Sequence, residues 1–356
     1  MLLFVCGETL AFARVKFTNY MINVAINGFG RIGRATFKAL LAKKSIRVVA
    51  INDLTDTATI AHLFKYDSCY GQFDGTVKAT ADALIVNGVK YPVLAIKDPS
   101  TLPWKQLKVD IVVESTGIFT ERDKAAMHLT AGAKKVIITA PAKGGDVKTF
   151  VLGVNEEKLT KKDTVVSMAS CTTNCLAPVT EVIRATFGIK KAIMSTVHAY
   201  TADQNLVDGP HKDLRRARGA GLSIIPTTTG AAVAVTETIP QLKGKFDGLA
   251  LRVPVPVGSI SDMTFLIAKN ATAEEINNAL IKASKTPRLK NILTVINEPV
   301  VSKDIVGNPA SSIVDLALTK VVDGDLVKVV SWYDNEWGYS SRLADFCEYI
   351  GKKKLL

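Results

Sequence analysis

Residues 22–34 read INVAINGFGRIGR, and residues 46–53 read IRVVAIND. The first stretch is a short apolar run, then three glycines in the spacing GxGxxG at Gly28, Gly30 and Gly33, with helical periodicity from Arg31 to Lys43. The second is another strand-like run, and it ends in an acid, Asp53, twenty residues after the last glycine. Strand, glycine turn, helix and strand in that order make a βαβ unit, the seed of a doubly wound parallel sheet. The glycines permit a tight turn and let a pyrophosphate approach the helix N-terminus, whose free N–H groups and partial positive charge bind it. Asp53, closing the second strand, is placed to accept hydrogen bonds from the hydroxyls of an adenosine ribose. A lone GxGxxG also serves as a packing turn, but strand, helix and acid together predict dinucleotide binding.

Outward from this unit the same texture continues. A helical stretch near Thr57 to Tyr66 precedes ALIVNGVKYPV (83–93), where Asn87 and Gly88 mark a two-residue hairpin turn, so the parallel sheet carries an antiparallel insert. Buried-strand runs resume at VDIVVES (109–115) and KVIIT (135–139), separated by the helix ERDKAAMHLTAG with Gly132 at its C-terminal cap. Beyond Ser170 the pattern changes. A helix from Cys171 to Phe187 stops at Gly188, and long alternating runs follow: KKAIMSTVHAY, GLALRVPVPV and SISDMTFLIA. These predict a second domain with a larger, mostly antiparallel sheet. Between them, Thr201 to Pro226 is polar and without strong period, and a loop of that length in a compact protein is usually functional. The end, Asp334 to Lys354, reads as a helix.

The chain has 356 residues, 47% apolar and 22% charged, which fits two soluble domains and excludes a disordered or fibrous protein. No run reaches the roughly 18 apolar residues of a membrane-spanning helix. A net charge of +12 favours anionic partners without choosing among phosphates, nucleic acid and acidic surfaces. The five cysteines show no CxxC pair, and with four histidines a metal site is not expected. Reduced thiols in a cytoplasm fit this usage. The first 20 residues begin apolar but lack the basic segment and cleavage site of a signal peptide, so they read as an extension or an upstream start, with the patterned domain opening at Met21.

The second constellation is SCTTNC at 170–175. A cysteine in the first turn of a helix lies in the helix dipole, which lowers its pKa and suits a nucleophile. Ser170, Thr172 and Thr173 surround Cys171 with donors for an anion, whereas Cys175, one turn on, shares its face and is expected to pack inward. Among the histidines only His198 ends a strand, where catalytic groups collect. His211 falls among charges in the polar loop, and His62 and His128 sit on helices as ordinary residues. HKDLRRAR (211–218) lacks the interleaved aromatics of a nucleic-acid site; with TTTG (227–230) and Arg252 it reads as ligands for phosphate groups.

INGFGRIGR, IND, YDS, ESTG, ASCTTNCLAP, HAYT, PHKDLRRAR, TTTGAA, RVPVP and SWYDNEWGYS occur in order from Met21 to the end and together closely resemble the phosphorylating glyceraldehyde-3-phosphate dehydrogenases of glycolysis, bacterial type. The resemblance implies a Rossmann-type NAD-binding domain over 21–170, an α+β catalytic domain over 171–333 and a C-terminal helix, 334–356, returning to the first domain. It implies attack by Cys171 on the aldehyde with His198 as base, hydride transfer to NAD, and attack of inorganic phosphate on the thioester to release 1,3-bisphosphoglycerate. By motif position Thr201, Arg216 and Arg252 hold the substrate's phosphate, while Ser170, Thr172, Thr229, Gly230 and again Arg216 receive the attacking one. Arg31 and Ile32 offer backbone amides to the pyrophosphate, Thr116 lines the cofactor cleft, and Asn335 holds the nicotinamide carboxamide. Asp53, followed by Leu54, and Pro210 in the loop favour NAD over NADP. The family's homotetramer, with the loop 201–226 at an interface, and a cytoplasmic location are implied as well. Two other readings are an erythrose-4-phosphate dehydrogenase, whose reaction ends in hydrolysis, and an RNA-binding or surface role suggested by the charge.

Overall fold

A computed structural model describes residues 21–144 and 146–356. The expectation for residues 1–20 lies outside the described residues. The first half runs β1 (Ile22–Asn27), α1 (Arg31–Leu41), β2 (Ile46–Asn52), α2 (Thr57–Lys65), β3 (Tyr66–Asp67), β4 (Gly71–Gln72), β5 (Val77–Thr80), β6 (Ala83–Val86), β7 (Val89–Leu94), β8 (Ile111–Glu114), α3 (Arg122–Thr130), β9 (Lys135–Ile138), β10 (Lys148–Thr149) and β11 (Val165–Ser167). Nine of these strands form one sheet in the order β10-β11-β9-β8-β1-β2-β7-β6-β5, parallel from β10 to β7. The β5-β6-β7 edge is the antiparallel insert, turned at Asn87 and Gly88 with φ of 50° and 80°.

Every residue of β1 is buried, because a parallel sheet is covered on both faces. Its alternate side chains feed two cores. Ile22, Val24 and Ile26 pack with Phe37 and Leu40 of α1, whereas Ala25 joins Val112, Val136, Ala125 and Trp104 on the other side.

The second half runs α4 (Cys171–Phe187), β12 (Ile189–Ala199), β13 (Ile225–Thr227), α5 (Ala231–Thr238), β14 (Phe246–Val253), β15 (Ser259–Ile267), α6 (Ala273–Ser284), β16 (Leu293–Ile296), β17 (Ser312–Asp315), β18 (Lys320–Val322), β19 (Leu326–Tyr333) and α7 (Trp337–Lys352). Its eight-stranded sheet has the order β13-β14-β12-β15-β19-β17-β16, with β18 on β19. Strand β15 alternates buried and half-buried residues, and its Met263, Phe265 and Ile267 face the helical layer with Leu176, Val179 and Ile183 of α4.

Three details depart from the pattern read in the sequence. The expected mostly antiparallel sheet contains two parallel pairings, β12 with β14 and β16 with β17, the first because α5 crosses over between its strands. The loop expected to Pro226 gives up its end to β13, which pairs with β14. The last helix starts at Trp337, not Asp334, because the Asp334 carboxylate accepts hydrogen bonds from Glu336 N (2.9 Å) and Trp337 N (2.7 Å) and turns the chain into the helix. That helix returns to the first sheet, where Leu343, Phe346 and Ile350 join the α1 core.

Candidate active site

The carboxyl ends of β1, β2 and β8 make one edge. Gly28 follows β1 with φ +91°, and a Cβ there would lie 2.7 Å from Thr116 N. A Cβ on Gly33 would lie 2.1 Å from Gly28 O, so helix and turn touch backbone to backbone. Gly30 caps α1 without a side-chain bond, and Arg34 N is the first amide to find a helical acceptor, at Gly30 O. The amides of Arg31, Ile32 and Gly33 are therefore open to an anion. The Arg31 side chain turns elsewhere, to Glu336 and to Asp67 at 2.9 Å.

Asp53 is anchored by Phe29 N on Oδ2 (2.6 Å) and Thr55 N on Oδ1 (2.9 Å), and each oxygen keeps a lone pair for a ribose hydroxyl. Asn335 Oδ1 accepts from Gly258 N (3.0 Å) and Ser259 Oγ (2.9 Å), which leaves the amide NH2 for a carboxamide oxygen. These features fit a dinucleotide.

The thiol stands on a strained turn. Ala169 has φ +55°, unusual for a residue with a Cβ, and its carbonyl accepts from Tyr339 Oη at 3.0 Å. Ser170 then caps α4, its Oγ accepting from Thr173 N at 3.0 Å, which puts Cys171 in the first turn. From β12, His198 brings Nε2 to 3.4 Å from Cys171 Sγ. Its Nδ1 donates to Ala199 O at 2.6 Å, so Nε2 is the bare acceptor aimed at the thiol.

Burial and then Arg252 push the His198 imidazole down to about 3. Burial also raises the Cys171 thiol, against the lowering that the helix N-terminus alone predicts; Arg252 and the Thr172 hydroxyl pull the other way but do not overcome it. Both shifts favour the uncharged pair, so the proton rests on sulfur and His198 is a free base. Cys171 remains partly open to solvent, whereas Cys175 is fully buried beside Ser312 and Ser331, and burial pushes its thiol up to about 12.

Two cationic positions flank the pair. Arg252, opposite His198 in the β12–β14 register, donates from Nη1 to Ala199 O and Thr201 Oγ1, both at 3.1 Å, and its buried Nε has no partner. Arg216 is held by Thr227 Oγ1 (2.9 Å), by Asp203 and by Asp213 (3.4 Å). Thr229 Oγ1 accepts from Ala231 N (3.1 Å), and Gly230 starts α5 with no side-chain cap. The Thr172 hydroxyl is engaged with Tyr333 Oη at 2.9 Å, inside the protein.

The sequence reading missed the two carboxylates on Arg216 and missed Tyr333, whose ring stands edge-on to His198 at 6.0 Å. Asp213 lies within the basic run 211–218 and Asp203 shortly before it, and that charge alternation was the available signal. His62 is exposed, and His211 lies 3.8 Å from Asp203 Oδ1.

A dinucleotide cleft joined to a cysteine–histidine pair with arginines beside it defines a dehydrogenase that works through a covalent thiol. The chain matches the family model for the NAD binding domain of glyceraldehyde 3-phosphate dehydrogenase over residues 22–122 and that for its C-terminal domain over 170–335. It is 55% identical to the glyceraldehyde-3-phosphate dehydrogenase of Mycolicibacterium smegmatis over 339 residues, 93% of this chain and 99% of the relative. It is likewise 55% identical to that of Geobacillus stearothermophilus over 335 residues, 94% and 99% of the two chains. The chain belongs to the glyceraldehyde-3-phosphate dehydrogenase family.

Proposed function

We propose that this protein oxidises D-glyceraldehyde 3-phosphate to 1,3-bisphosphoglycerate with NAD and inorganic phosphate, using Cys171 as nucleophile and His198 as base. The observation that carries the reading is the 3.4 Å approach of His198 Nε2 to Cys171 Sγ, with the imidazole neutral and its tautomer fixed. Sulfur attacks the aldehyde carbon as its proton passes to Nε2 and from there to the former carbonyl oxygen, giving a thiohemiacetal and leaving His198 neutral again. His198 then takes the hydroxyl proton as hydride leaves that carbon, and bound NAD supplies the hydride acceptor. The thioester left on Cys171 keeps the energy of the oxidation, and phosphate attack releases the acyl phosphate and regenerates the thiol.

Thr201 and Arg252, already hydrogen-bonded to each other, hold the substrate's phosphate together with Arg216. Ser170, Thr172, Thr229, Gly230 and Arg216 receive the attacking one, with phosphate replacing Asp203 on Arg216. The amides of Arg31 and Ile32 at the Gly28–Gly30–Gly33 turn, with Asp53, Thr116 and Asn335, hold the cofactor. Residues 21–170 correspond to the cofactor domain, 171–333 to the catalytic domain and 334–356 to the segment that carries the returning helix α7.

Two properties extend this reading to the assembly. Leu206, Val207, Leu214, Leu222 and Ile224 stand exposed on the loop 201–226, which supports burial against other copies in a homotetramer. No helix among the described residues is long and apolar enough to cross a membrane, and with free thiols this supports a cytoplasmic site of action.

The test is formation of reduced nicotinamide from glyceraldehyde 3-phosphate with and without phosphate. Sustained turnover requires phosphate on this account. Turnover of erythrose 4-phosphate that is indifferent to phosphate indicates the hydrolytic sister activity instead.

A further inference from the structure

A buried polar chain that this chemistry does not use crosses the carboxyl ends of β7, β2, β1 and β8. Asn52 exchanges hydrogen bonds with the Ile96 backbone just past β7, its Oδ1 accepting from Ile96 N and its Nδ2 donating to Ile96 O, both at 2.9 Å. Asn52 Nδ2 also donates to Asn27 Oδ1 (2.7 Å), and Asn27 Nδ2 donates to Glu114 Oε2 (2.6 Å). From the far side Trp104 Nε1 donates to His128 Nδ1 (3.0 Å), and His128 Nε2 meets Glu114 Oε2 (2.9 Å). Indole nitrogen can only donate, so the His128 proton sits on Nε2 and points at Glu114. The other oxygen, Oε1, receives Thr116 N (2.9 Å) and Thr116 Oγ1 (2.5 Å). Both Glu114 oxygens thus face hydrogen-bond donors.

Asn27, Asn52, Glu114, His128 and Trp104 are all at most 5% exposed. A buried charge is a poor way to stabilise a core, since apolar residues of similar volume commonly do as well or better. Its position suggests what it does. Asn27 precedes Gly28, Asn52 precedes Asp53, and Glu114 stands two residues before Thr116. The amide that Glu114 holds, Thr116 N, is the atom against which Gly28 packs without room for a Cβ.

We propose that Glu114, backed by His128 and Trp104, is a positioning residue for the dinucleotide, fixing Thr116 and the Gly28 turn at the spacing the cofactor needs. The proposal rests on the reading of this edge as the NAD cleft. The experiment measures the NAD dissociation constant calorimetrically for the wild type, Glu114→Gln and Trp104→Phe. Cofactor-free alkylation of Cys171 and steady-state kinetics accompany it. Glu114→Gln, which places a second donor against Asn27 and His128, is expected to weaken NAD about tenfold or more, as small misplacements of a binding group do. KM for NAD rises in step, kcat stays within about twofold, and alkylation is unchanged, because Cys171 on α4 and His198 on β12 belong to the other half of the chain. Trp104→Phe keeps a ring and loses one hydrogen bond, and is expected to weaken NAD about threefold.

Lowered thermal stability alone does not separate positioning from mere packing; the split between KM and kcat does. Folded variants that bind NAD like the wild type overturn the proposal, and if Glu114→Gln does not fold, Trp104→Phe decides alone. A wild type that does not bind NAD overturns the cofactor reading instead.

Discussion

Arg252 acts on both members of the reacting pair, and in the same direction. Its charge favours the Cys171 thiolate and disfavours the His198 imidazolium, so it lowers both groups while burial lifts the thiol and depresses the imidazole. Since the proton stays on sulfur at rest, base and nucleophile are activated together when the substrate arrives. A substrate phosphate on Arg252 offsets that charge and makes His198 a stronger base at the moment it is needed. Arg252→Ala is therefore expected to move the pH profile of Cys171 alkylation by iodoacetamide, which is neutral and needs no anion site, to higher pH. An unmoved midpoint would place Arg252 outside the field of the thiol. That the thiol is raised was not legible in the sequence, because the helix terminus is local whereas the burial comes from β12, β14 and β19, far along the chain.

Elements meet here through glycines. Gly33 lies on α1 so close to the turn that a methyl group would fall 2.1 Å from Gly28 O, and that carbonyl cannot retreat because Gly28 is itself packed on Thr116. Gly33→Ala must push α1 off the sheet, disturbing Phe37 and Leu40. A loss of about 1–3 kcal/mol or more in a denaturant titration is expected, as for overpacked cores, together with weakened NAD binding. Unchanged stability would show that the helix has slack the structure does not reveal.

The βαβ unit was readable because its signals are local: strand period, glycine spacing and Asp53 all fall within 32 residues, from Ile22 to Asp53. The hairpin at Asn87–Gly88 and the glycine after α3 were readable for the same reason. What was hidden pairs residues far apart: Arg31 with Glu336 across 305 positions, and Thr172 with Tyr333 across 161. The parallel pairing of β12 with β14 was hidden too, since strand direction leaves no periodicity.

At the scale of the whole molecule, the loop 201–226 is the unfinished surface. Leu222 is 91% exposed, Leu214 81% and Leu206 79%, an arrangement that a lone subunit leaves in water at a cost. Light scattering on the purified protein is expected to give a tetramer, and Leu206→Asp with Leu222→Asp to dissociate it. A monomeric wild type at micromolar concentration would contradict this. The proposed reaction turns on covalent capture of the substrate by one of two neighbouring cysteines. The most direct measurement mixes the protein with NAD and glyceraldehyde 3-phosphate without phosphate, quenches it in acid within a turnover, and maps the acylated peptide by mass spectrometry. The expected result is a phosphoglyceroyl group on Cys171, absent from Cys175 and discharged when phosphate is added before the quench. An acyl group on Cys175, or none on any cysteine while reduced nicotinamide is formed, would contradict it.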